Sequence, residues 1–271
     1  MTFTGNRMDG KICVVTGATQ GLGAAIARRL AAAGAAGVVI MGRNAAKGQA
    51  VADSLPCPAL FVQADFGSVD DCQRVISETD RRFGRVDVLV NAGASTARGT
   101  IIDTTPETFD ALFATNVRGP YFLMQAAIKL MIAKGTQGAI CNIGSISALA
   151  GQPFINAYCA SKGALTTLTA NTAFSVMGNR IRVNQLNVGW MASDNERALQ
   201  EATGGADWEA KATANLPFGR LVDPEEAARA VNFLVSDDAG LMTGAIVKFD
   251  QSVWGAVAGG MPVPDGPLRL T

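Results

Sequence analysis

The sequence predicts an α/β protein in which a doubly wound parallel sheet of about seven strands is covered by helices on both faces. Short apolar runs alternate with longer helical patterns along the chain, as strand–helix–strand units require. The apolar runs are nearly continuous, which is typical of strands buried on both faces. The predicted strands are 11–15, 37–41, 58–63, 86–90, 139–143, 180–186 and 245–249.

Composition narrows the functional classes. A chain of 271 residues with 48% hydrophobic content can bury one large core, so we expect a single domain over 1–271. The 23 basic residues balance the 23 acidic ones, which gives no electrostatic case for binding nucleic acid or an anionic membrane. The longest apolar stretch, 30–41, is too short to span a bilayer.

Histidine and cysteine usage excludes further classes of site. The chain has no histidine, which excludes Ser-His-Asp hydrolysis and His-ligated zinc, and we predict no metal site. Its five cysteines show no C-x-x-C spacing, and an odd number cannot form a complete disulfide framework. A reducing, cytoplasmic location is therefore expected.

A glycine-rich turn, TGATQGLG at 16–23, joins the first strand to an Ala-rich helix. Gly17 permits a tight turn, Gly21 lets backbone N–H groups approach a pyrophosphate, and Gly23 allows close helix packing. The dipole and the free N–H groups of the helix attract phosphates. The sequence therefore predicts a dinucleotide site built from Gly17, Thr19, Gln20, Gly21, Leu22 and Gly23.

A second motif lies in the stretch 141–162, CNIGSISALAGQPFINAYCASK. Tyr158 and Lys162 are four residues apart and share one helix face. An ammonium beside a phenol favours the phenolate, so we expect Lys162 to lower the pKa of Tyr158 towards working pH. Ser145, at the end of a strand, is placed to hold the oxygen whose proton is exchanged. These residues predict an acid/base for a carbonyl/alcohol pair, although Tyr-x-x-x-Lys alone is a weak signal.

Ser145, Tyr158 and Lys162, together with Thr-Gly-x-x-x-Gly-x-Gly, resemble the motifs of the short-chain dehydrogenase/reductase family in its compact form, and the resemblance runs over 11–249. It implies a Rossmann-type sheet and hydride transfer between a nicotinamide cofactor and a carbonyl or secondary alcohol. It also implies that Lys162 holds the nicotinamide ribose. Asn116 lies inside a long helical pattern, 107–131, where its propensity is poor. The resemblance implies that Asn116 takes part in a helix distortion that holds a water near Lys162. The alternative is that Asn116 is only a packing residue.

The second strand suggests which nicotinamide cofactor binds. Met41 stands where an acidic residue would bond a ribose 2′-OH, and Arg43 and Asn44, which follow it, are expected to contact the cofactor. A guanidinium suits a 2′-phosphate, so NADP(H) is favoured over NAD(H). Against this, Gln20 occupies a position that is often basic in NADP-preferring relatives, and Arg43 has an alternative interpretation as a solvated surface arginine.

The resemblance implies further cofactor contacts after the other strands. Asp65 is expected to bond the adenine amino group, with capping of the helix beginning near Ser68 as an alternative or additional role. Val188 replaces a proline that relatives usually carry, so the rigidity of that loop is lost. The remaining implied contacts are Phe66, Asn91, Ala92, Gly93, Gly189 and Ser193, besides Tyr158 and Lys162 themselves.

The residues expected to face the substrate are mostly polar: Ser95, Ser147, Gln152, Asn156 and Trp190. They favour a hydroxylated substrate such as a sugar, polyol or keto acid. A 3-oxoacyl-thioester reductase is the alternative, and it requires a basic surface that docks an acidic carrier. A non-catalytic nucleotide-sensing protein is the alternative from another class.

Two segments and the assembly complete the predictions. Residues 194–215 are expected to form a substrate lid, with a surface insertion as the alternative. The tail, 254–271, is rich in Gly and Pro. The resemblance further implies a homotetramer.

Overall fold

The computed structural model describes residues 5–253 and Gly266, with the side chain of Asn195 left out. Its seven-stranded sheet is parallel throughout, in the order β3-β2-β1-β4-β5-β6-β7. The strands are β1 (Ile12–Thr16), β2 (Gly37–Gly42), β3 (Ala59–Gln63), β4 (Val88–Asn91), β5 (Ala139–Ser145), β6 (Arg182–Val188) and β7 (Ile246–Phe249). The predicted fold class is confirmed. The strand order reverses between β1 and β4, and ligands of such sheets bind at that crevice.

Helices connect the strands and cover both faces of the sheet. They are α1 (Gly21–Ala32), α2 (Ala45–Asp53), α3 (Val69–Phe83), α4 (Pro106–Phe113), α5 (Gly119–Lys134), α6 (Asn156–Val176), α7 (Asp194–Gly204), α8 (Trp208–Thr213) and α9 (Pro224–Val235). On one face α1 packs against α9, and on the other α3 packs against α5. Burial on both faces explains why the strands are almost continuously apolar. No helix in the described part of the chain is long and apolar enough to cross a membrane.

Two strands extend beyond their predicted ends. Both β5 and β6 run two residues further, and Ser145 pairs with Val188 in the last step of their register. The ladder therefore continues through hydroxyl and amide residues that the apolar pattern excluded. At its other end β6 begins at Arg182 and not at 180, because Arg180 has a φ of 58° and ends a short 3₁₀ turn. The other strands differ from prediction by one or two residues at their ends.

The long helical pattern at 107–131 is two α-helices separated by a π-helical segment, Ala114–Arg118. The Thr105 hydroxyl caps α4, accepting a hydrogen bond from the backbone of Thr108, and Pro106 occupies the first turn. Asn116 lies at the centre of the π segment and is 1% exposed. The predicted helix distortion is therefore present as this π segment. Its extra residue per turn redirects the side chains around it.

The segment predicted as a lid forms α7 and α8. The Ser193 hydroxyl accepts a hydrogen bond from the backbone N–H of Glu196, which caps α7 at its start. The tail at 254–271 lies outside the described residues apart from Gly266.

Candidate active site

The three residues of the acid/base motif lie around the carboxyl end of β5. Ser145 is the last residue of that strand, and Tyr158 and Lys162 occupy the first two turns of α6. The Lys162 side chain is buried; its Nζ donates a 2.9 Å hydrogen bond to the carbonyl of Ile143 and lies 5.7 Å from the centre of the Tyr158 ring. An ammonium, a phenol and a hydroxyl thus share one partly enclosed site.

Burial controls the acidity of this site. It lowers the pKa of Lys162 to about 8, and it raises the pKa of Tyr158, while a hydrogen bond with the Ser145 side chain opposes that rise. The expected lowering of the Tyr158 pKa by Lys162 is therefore wrong for this arrangement, because burial has the largest effect on that pKa and raises it. The phenol is protonated at neutral pH, as a proton donor must be.

Asn116 joins the loop after β4 to α6. Its Nδ2 donates to the carbonyl of Ser95 at 2.9 Å and to the hydroxyl of Ser161 at 3.0 Å, and its Oδ1 accepts from the Ser95 N–H at 2.8 Å. Its hydrogen-bond partners are thus Ser95 and Ser161, and Lys162 is not among them. These contacts match the packing alternative, and the water-holding role stays a prediction.

The glycine turn has the geometry that a pyrophosphate needs. Gly17 has a φ of 61°, and a Cβ there would collide with the backbone of Gly93. A Cβ on Gly23 would collide with Gly17, so the helix packs tightly on the turn, as predicted. Among the described residues no side chain caps α1, and the first turn of α1 contains no acidic residue. Its first N–H groups are therefore free for an anion, and the turn fits a dinucleotide phosphate.

The end of β2 adjoins the glycine turn. The N–H of Ala18 donates to the carbonyl of Met41 at 3.1 Å, and a Cβ on Gly42 would collide with Thr19. Arg43 is exposed, and Asn44 caps α2 by accepting from the N–H of Lys47 at 3.0 Å. The cofactor contact predicted for the Asn44 side chain therefore competes with a helix cap.

Lys47 is a cation that the sequence analysis missed. Its Nζ donates a 2.7 Å hydrogen bond to Oε1 of Gln20, which places a positive charge beside the glycine turn. Its signal in the sequence is a lysine in the first turn of the helix after β2, three residues beyond an Asn cap. Only the fold shows that this turn faces Gln20.

The loop after β3 supports the one after β4. Ser68 caps α3, so the alternative of Asp65 as the cap of that helix is wrong. The Asp65 carboxylate instead accepts from the N–H of Gly67 at 2.7 Å. The Phe66 ring is buried against Gly93, where a Cβ would collide with it. The Phe66 ring therefore packs against Gly93 and helps to shape the predicted cofactor crevice.

The loop after β4 is held by a threonine. The Thr16 hydroxyl donates to the carbonyl of Val90 at 3.1 Å and accepts from the N–H of Ala92 at 3.0 Å. The Asn91 amide donates to Oδ1 of Asn142 at 2.8 Å, and its own Oδ1 is buried with no partner among the described atoms. That unpaired acceptor, beside the glycine turn, fits a ligand that brings a donor. Thr16 was not among the predicted site residues.

The loop after β6 approaches the same crevice. The N–H of Gly189 donates to the carbonyl of Phe249 at 3.0 Å, and a Cβ on Gly189 would collide with the Asp250 carboxylate. The Ser193 Cβ lies 3.7 Å from the point where a Cβ on Gly21 would stand. The start of α7 therefore covers the glycine turn, which is consistent with the predicted cofactor contact of Ser193.

Comparison with known proteins identifies the chain's relatives. A family model described as Enoyl-(Acyl carrier protein) reductase matches residues 17–252. A solved structure titled short chain dehydrogenase/reductase family protein is 37% identical, covers 90% of this chain and 97% of its own, and superposes with a TM-score of 0.79. The chain belongs to the short-chain dehydrogenase/reductase family.

Three curated relatives match almost their whole length. L-rhamnose 1-dehydrogenase (NAD(P)(+)) of Azotobacter vinelandii is 34% identical, covering 90% of this chain and 96% of the relative. Galactitol 2-dehydrogenase of Agrobacterium fabrum is 29% identical, covering 92% and 99%. 3-Oxoacyl-[acyl-carrier-protein] reductase of Haemophilus influenzae is 32% identical, covering 91% and 99%.

Four of the five predicted substrate residues of this short-chain dehydrogenase/reductase divide into three groups. Ser95 is tied to Asn116, and the N–H of Ser147 donates to the Ser145 hydroxyl at 3.1 Å, so both lie beside the motif. Gln152 is exposed. Asn156 lines a cavity of about 260 Å³ whose lining includes neither Ser145 nor Tyr158. The backbone of Asn156 starts α6, and Ala157, which precedes Tyr158, lines the same cavity.

Trp190 stands between the β6 loop and the predicted lid. Its Nε1 donates to Oε1 of Glu196 at 2.8 Å, and its ring lies 6.1 Å from the Trp208 ring. Trp190 is 42% exposed whereas Trp208 is 6% exposed. The Trp190 ring therefore contacts Glu196 on α7 and packs near Trp208 on α8, and part of the ring remains exposed to a ligand.

Proposed function

We propose that this protein is a nicotinamide-dependent oxidoreductase that interconverts a secondary alcohol and a carbonyl on a sugar or polyol. The observation that carries the proposal is the joining of Ser145, Tyr158 and Lys162 at the end of β5, next to a glycine turn that fits a dinucleotide. Relatives named for L-rhamnose and galactitol support the substrate class.

The protein's own residues move one proton. In reduction, Tyr158 gives its phenolic proton to the carbonyl oxygen, while the Ser145 hydroxyl donates a hydrogen bond to that oxygen. In oxidation, the Tyr158 phenolate takes the proton back. The positive charge of Lys162 stabilises the phenolate between these events, and the bond to Ile143 is the one hydrogen bond that its Nζ makes within the described part of the chain, so further N–H groups can serve the ligand. The cofactor supplies or accepts the hydride.

A 3-oxoacyl-thioester reductase is the second candidate, favoured by the Haemophilus influenzae relative. An acidic carrier needs a basic surface at the mouth of the site. The segment 194–215 instead carries five acidic and two basic residues. Both basic residues form ion pairs, Arg197 with Glu209 and Lys211 with Asp207. The charge of this surface therefore favours a small polar substrate over a carrier-bound one.

We favour NADP(H) as the cofactor on the basis of two cations. Arg43 and Lys47 flank the end of β2, where Met41 replaces the acid that NAD(H) would use. Adenosine 2′,5′-bisphosphate tests this without any turnover, because it keeps the 2′-phosphate and lacks nicotinamide. It should bind at least about tenfold more tightly than 5′-AMP. Lys47→Ala should remove most of that difference, and equal affinities in the wild type would favour NAD(H).

A cytoplasmic homotetramer of single-domain subunits is the form in which we expect the enzyme to act. The described surface leaves large apolar side chains exposed on two helices, with Tyr121 and Ile132 on α5 and Phe174 on α6. Subunit contacts would bury them. A nucleotide sensor without catalysis is disfavoured, because such a protein has no use for the buried Lys162 beside Tyr158.

The absorbance of reduced nicotinamide tests the function directly. Purified protein is incubated with NADP⁺ or NAD⁺ and a panel of aldoses, polyols and 3-hydroxyacyl thioesters. Turnover of an aldose or polyol, faster with NADP⁺, is the expected result. Turnover confined to thioesters would establish the second candidate instead, and binding of the cofactor without turnover of any carbonyl or alcohol would favour the sensor.

A further inference from the structure

A chain of buried polar side chains runs beneath the active site. Asn142 on β5 donates to the Thr169 hydroxyl on α6 at 2.9 Å, and that hydroxyl lies 2.9 Å from Oε1 of Gln185 on β6. Nε2 of Gln185 donates at 2.7 Å both to the Thr166 hydroxyl and to Oδ1 of Asn187. Gln185 is fully buried, and both hydrogens of its amide nitrogen are used.

Gly144 leaves the space that this amide pair occupies. It lies opposite Asn187 in the register of β5 and β6. A Cβ on Gly144 would collide with Oδ1 of Asn187 and with Nε2 of Gln185. Its φ is not among the positive values of the chain, so the backbone conformation does not demand glycine here. Glycine is required here because the side chains of Gln185 and Asn187 occupy the space that a Cβ would fill.

The pair lies at the point where three functional segments meet. Gly144 precedes Ser145, and Asn187 precedes Val188 and Gly189, which approach the cofactor crevice. Thr166 and Thr169 lie on α6, the helix that carries Tyr158 and Lys162. A hydrogen bond from Lys162 to Ile143 joins the same helix to the residue before Gly144. A shift of the amide pair therefore moves the loop and the acid/base motif relative to each other.

Burying an amide in this position has a cost that an apolar side chain would avoid. An amide in the core is tolerated only when its donors and acceptors are paired, and paired amides fix their neighbours in one arrangement. We propose that Gln185 is a positioning residue: through Asn187 it holds the Val188–Gly189 loop against β5 and α6, in register with the cofactor and with Ser145. The inference rests on the proposed function, since it assumes that a nicotinamide cofactor binds there.

The experiment is a double-mutant cycle of Gln185→Ala and Gly144→Ala, with Asn184→Ala as the matched control. Asn184 is an equally buried amide on the same strand, but it bonds the carbonyl of Met242 and the N–H of Ala245, away from the site. NADP⁺ affinity is measured by calorimetry, KM and kcat by absorbance, and stability by thermal unfolding. Gln185→Ala should weaken NADP⁺ binding about tenfold, whereas Asn184→Ala should lower stability and leave affinity within twofold.

Gly144→Ala should weaken binding strongly in the wild type and less in the Gln185→Ala background, because one of the two side chains it collides with is gone and the other, Asn187, is no longer held in place by Gln185 and can turn aside. If Gln185→Ala loses stability only, as the control does, the positioning role is overturned. An equal effect of Gly144→Ala in both backgrounds also overturns it. Wild-type protein that binds neither NADP⁺ nor NAD⁺ overturns the proposed function itself, and this role with it.

Discussion

Replacing Lys162 with Met should abolish activity and yet stabilise the fold at neutral pH. Burial lowers the Lys162 pKa from 10.5 to about 8, and each pKa unit corresponds to about 1.4 kcal/mol. Carrying the charged form in the folded state therefore costs about 3 kcal/mol below pH 8. Met fills a similar volume without that cost, but it loses the 2.9 Å bond to Ile143. The net gain in the free energy of unfolding should be about 1–2 kcal/mol.

The pH dependence isolates this effect. Because the folded-state pKa of Lys162 is depressed, its destabilisation is fully present below pH 8 and disappears as pH rises towards 10.5, the unfolded value. Urea unfolding of the wild type and Lys162→Met should therefore show the lead of the variant shrinking as pH rises above 8, and the wild type should overtake it by about 1–2 kcal/mol towards pH 10.5, where neutral Lys162 keeps its bond to Ile143. Lys134→Met is the control, since Lys134 is exposed and paired with Asp80, and it should change stability by under about 0.5 kcal/mol. A wild-type advantage at pH 7, or a difference that is independent of pH, would refute the reasoning.

Three further predictions concern the motif, the turn and the assembly. Tyr158→Phe should lower turnover at least about a thousandfold and leave NADP⁺ affinity unchanged in calorimetry; activity within a fewfold of wild type would remove Tyr158 as the proton donor. Gly17→Ala forces a Cβ into a residue with a φ of 61° and against the backbone of Gly93. It should weaken cofactor binding by more than about tenfold, and unchanged binding would contradict the proposed pyrophosphate site. Phe174→Glu places a charge on a side chain that is 77% exposed. It should reduce the mass in light scattering below that of a tetramer, and an unchanged tetrameric mass would exclude Phe174 from the interface.

Local patterns were enough to predict the architecture and the glycine turn. Buried parallel strands produce continuous apolar runs, Gly17 has a φ of 61° that favours glycine in a tight turn, and Gly23 is required by its contact with Gly17 in the same turn, so both features are visible in the sequence. The ends of β5 and β6 were missed for the opposite reason. Ser145 and Asn187 continue the ladder because of their pairing with another strand, and the register between strands whose paired residues are 43 positions apart leaves no periodic signal.

Side-chain partners across the sheet were the other feature that could not be predicted. Lys47 reaches Gln20 only because α2 follows β2 past the glycine turn, a contact between residues 27 positions apart. The direction of the Tyr158 pKa was predicted wrongly because helix spacing shows that Lys162 is near and shows nothing of burial. The depth of burial depends on how α6, β5 and the π segment pack together.

The amides of β6 show how the sequence and the structure together assign a role to each residue. Asn184, Gln185 and Asn187 interrupt the apolar pattern that predicted this strand. In the structure Asn184 and Gln185 are fully buried, and each is paired with the backbone or with another side chain. Asn184 bonds the segment before β7 and has no partner near the motif, whereas Gln185 and Asn187 cross Gly144 directly beneath Ser145. Because neighbouring amides on one strand differ in this way, replacing each of them separates the stability of the sheet from the geometry of the site.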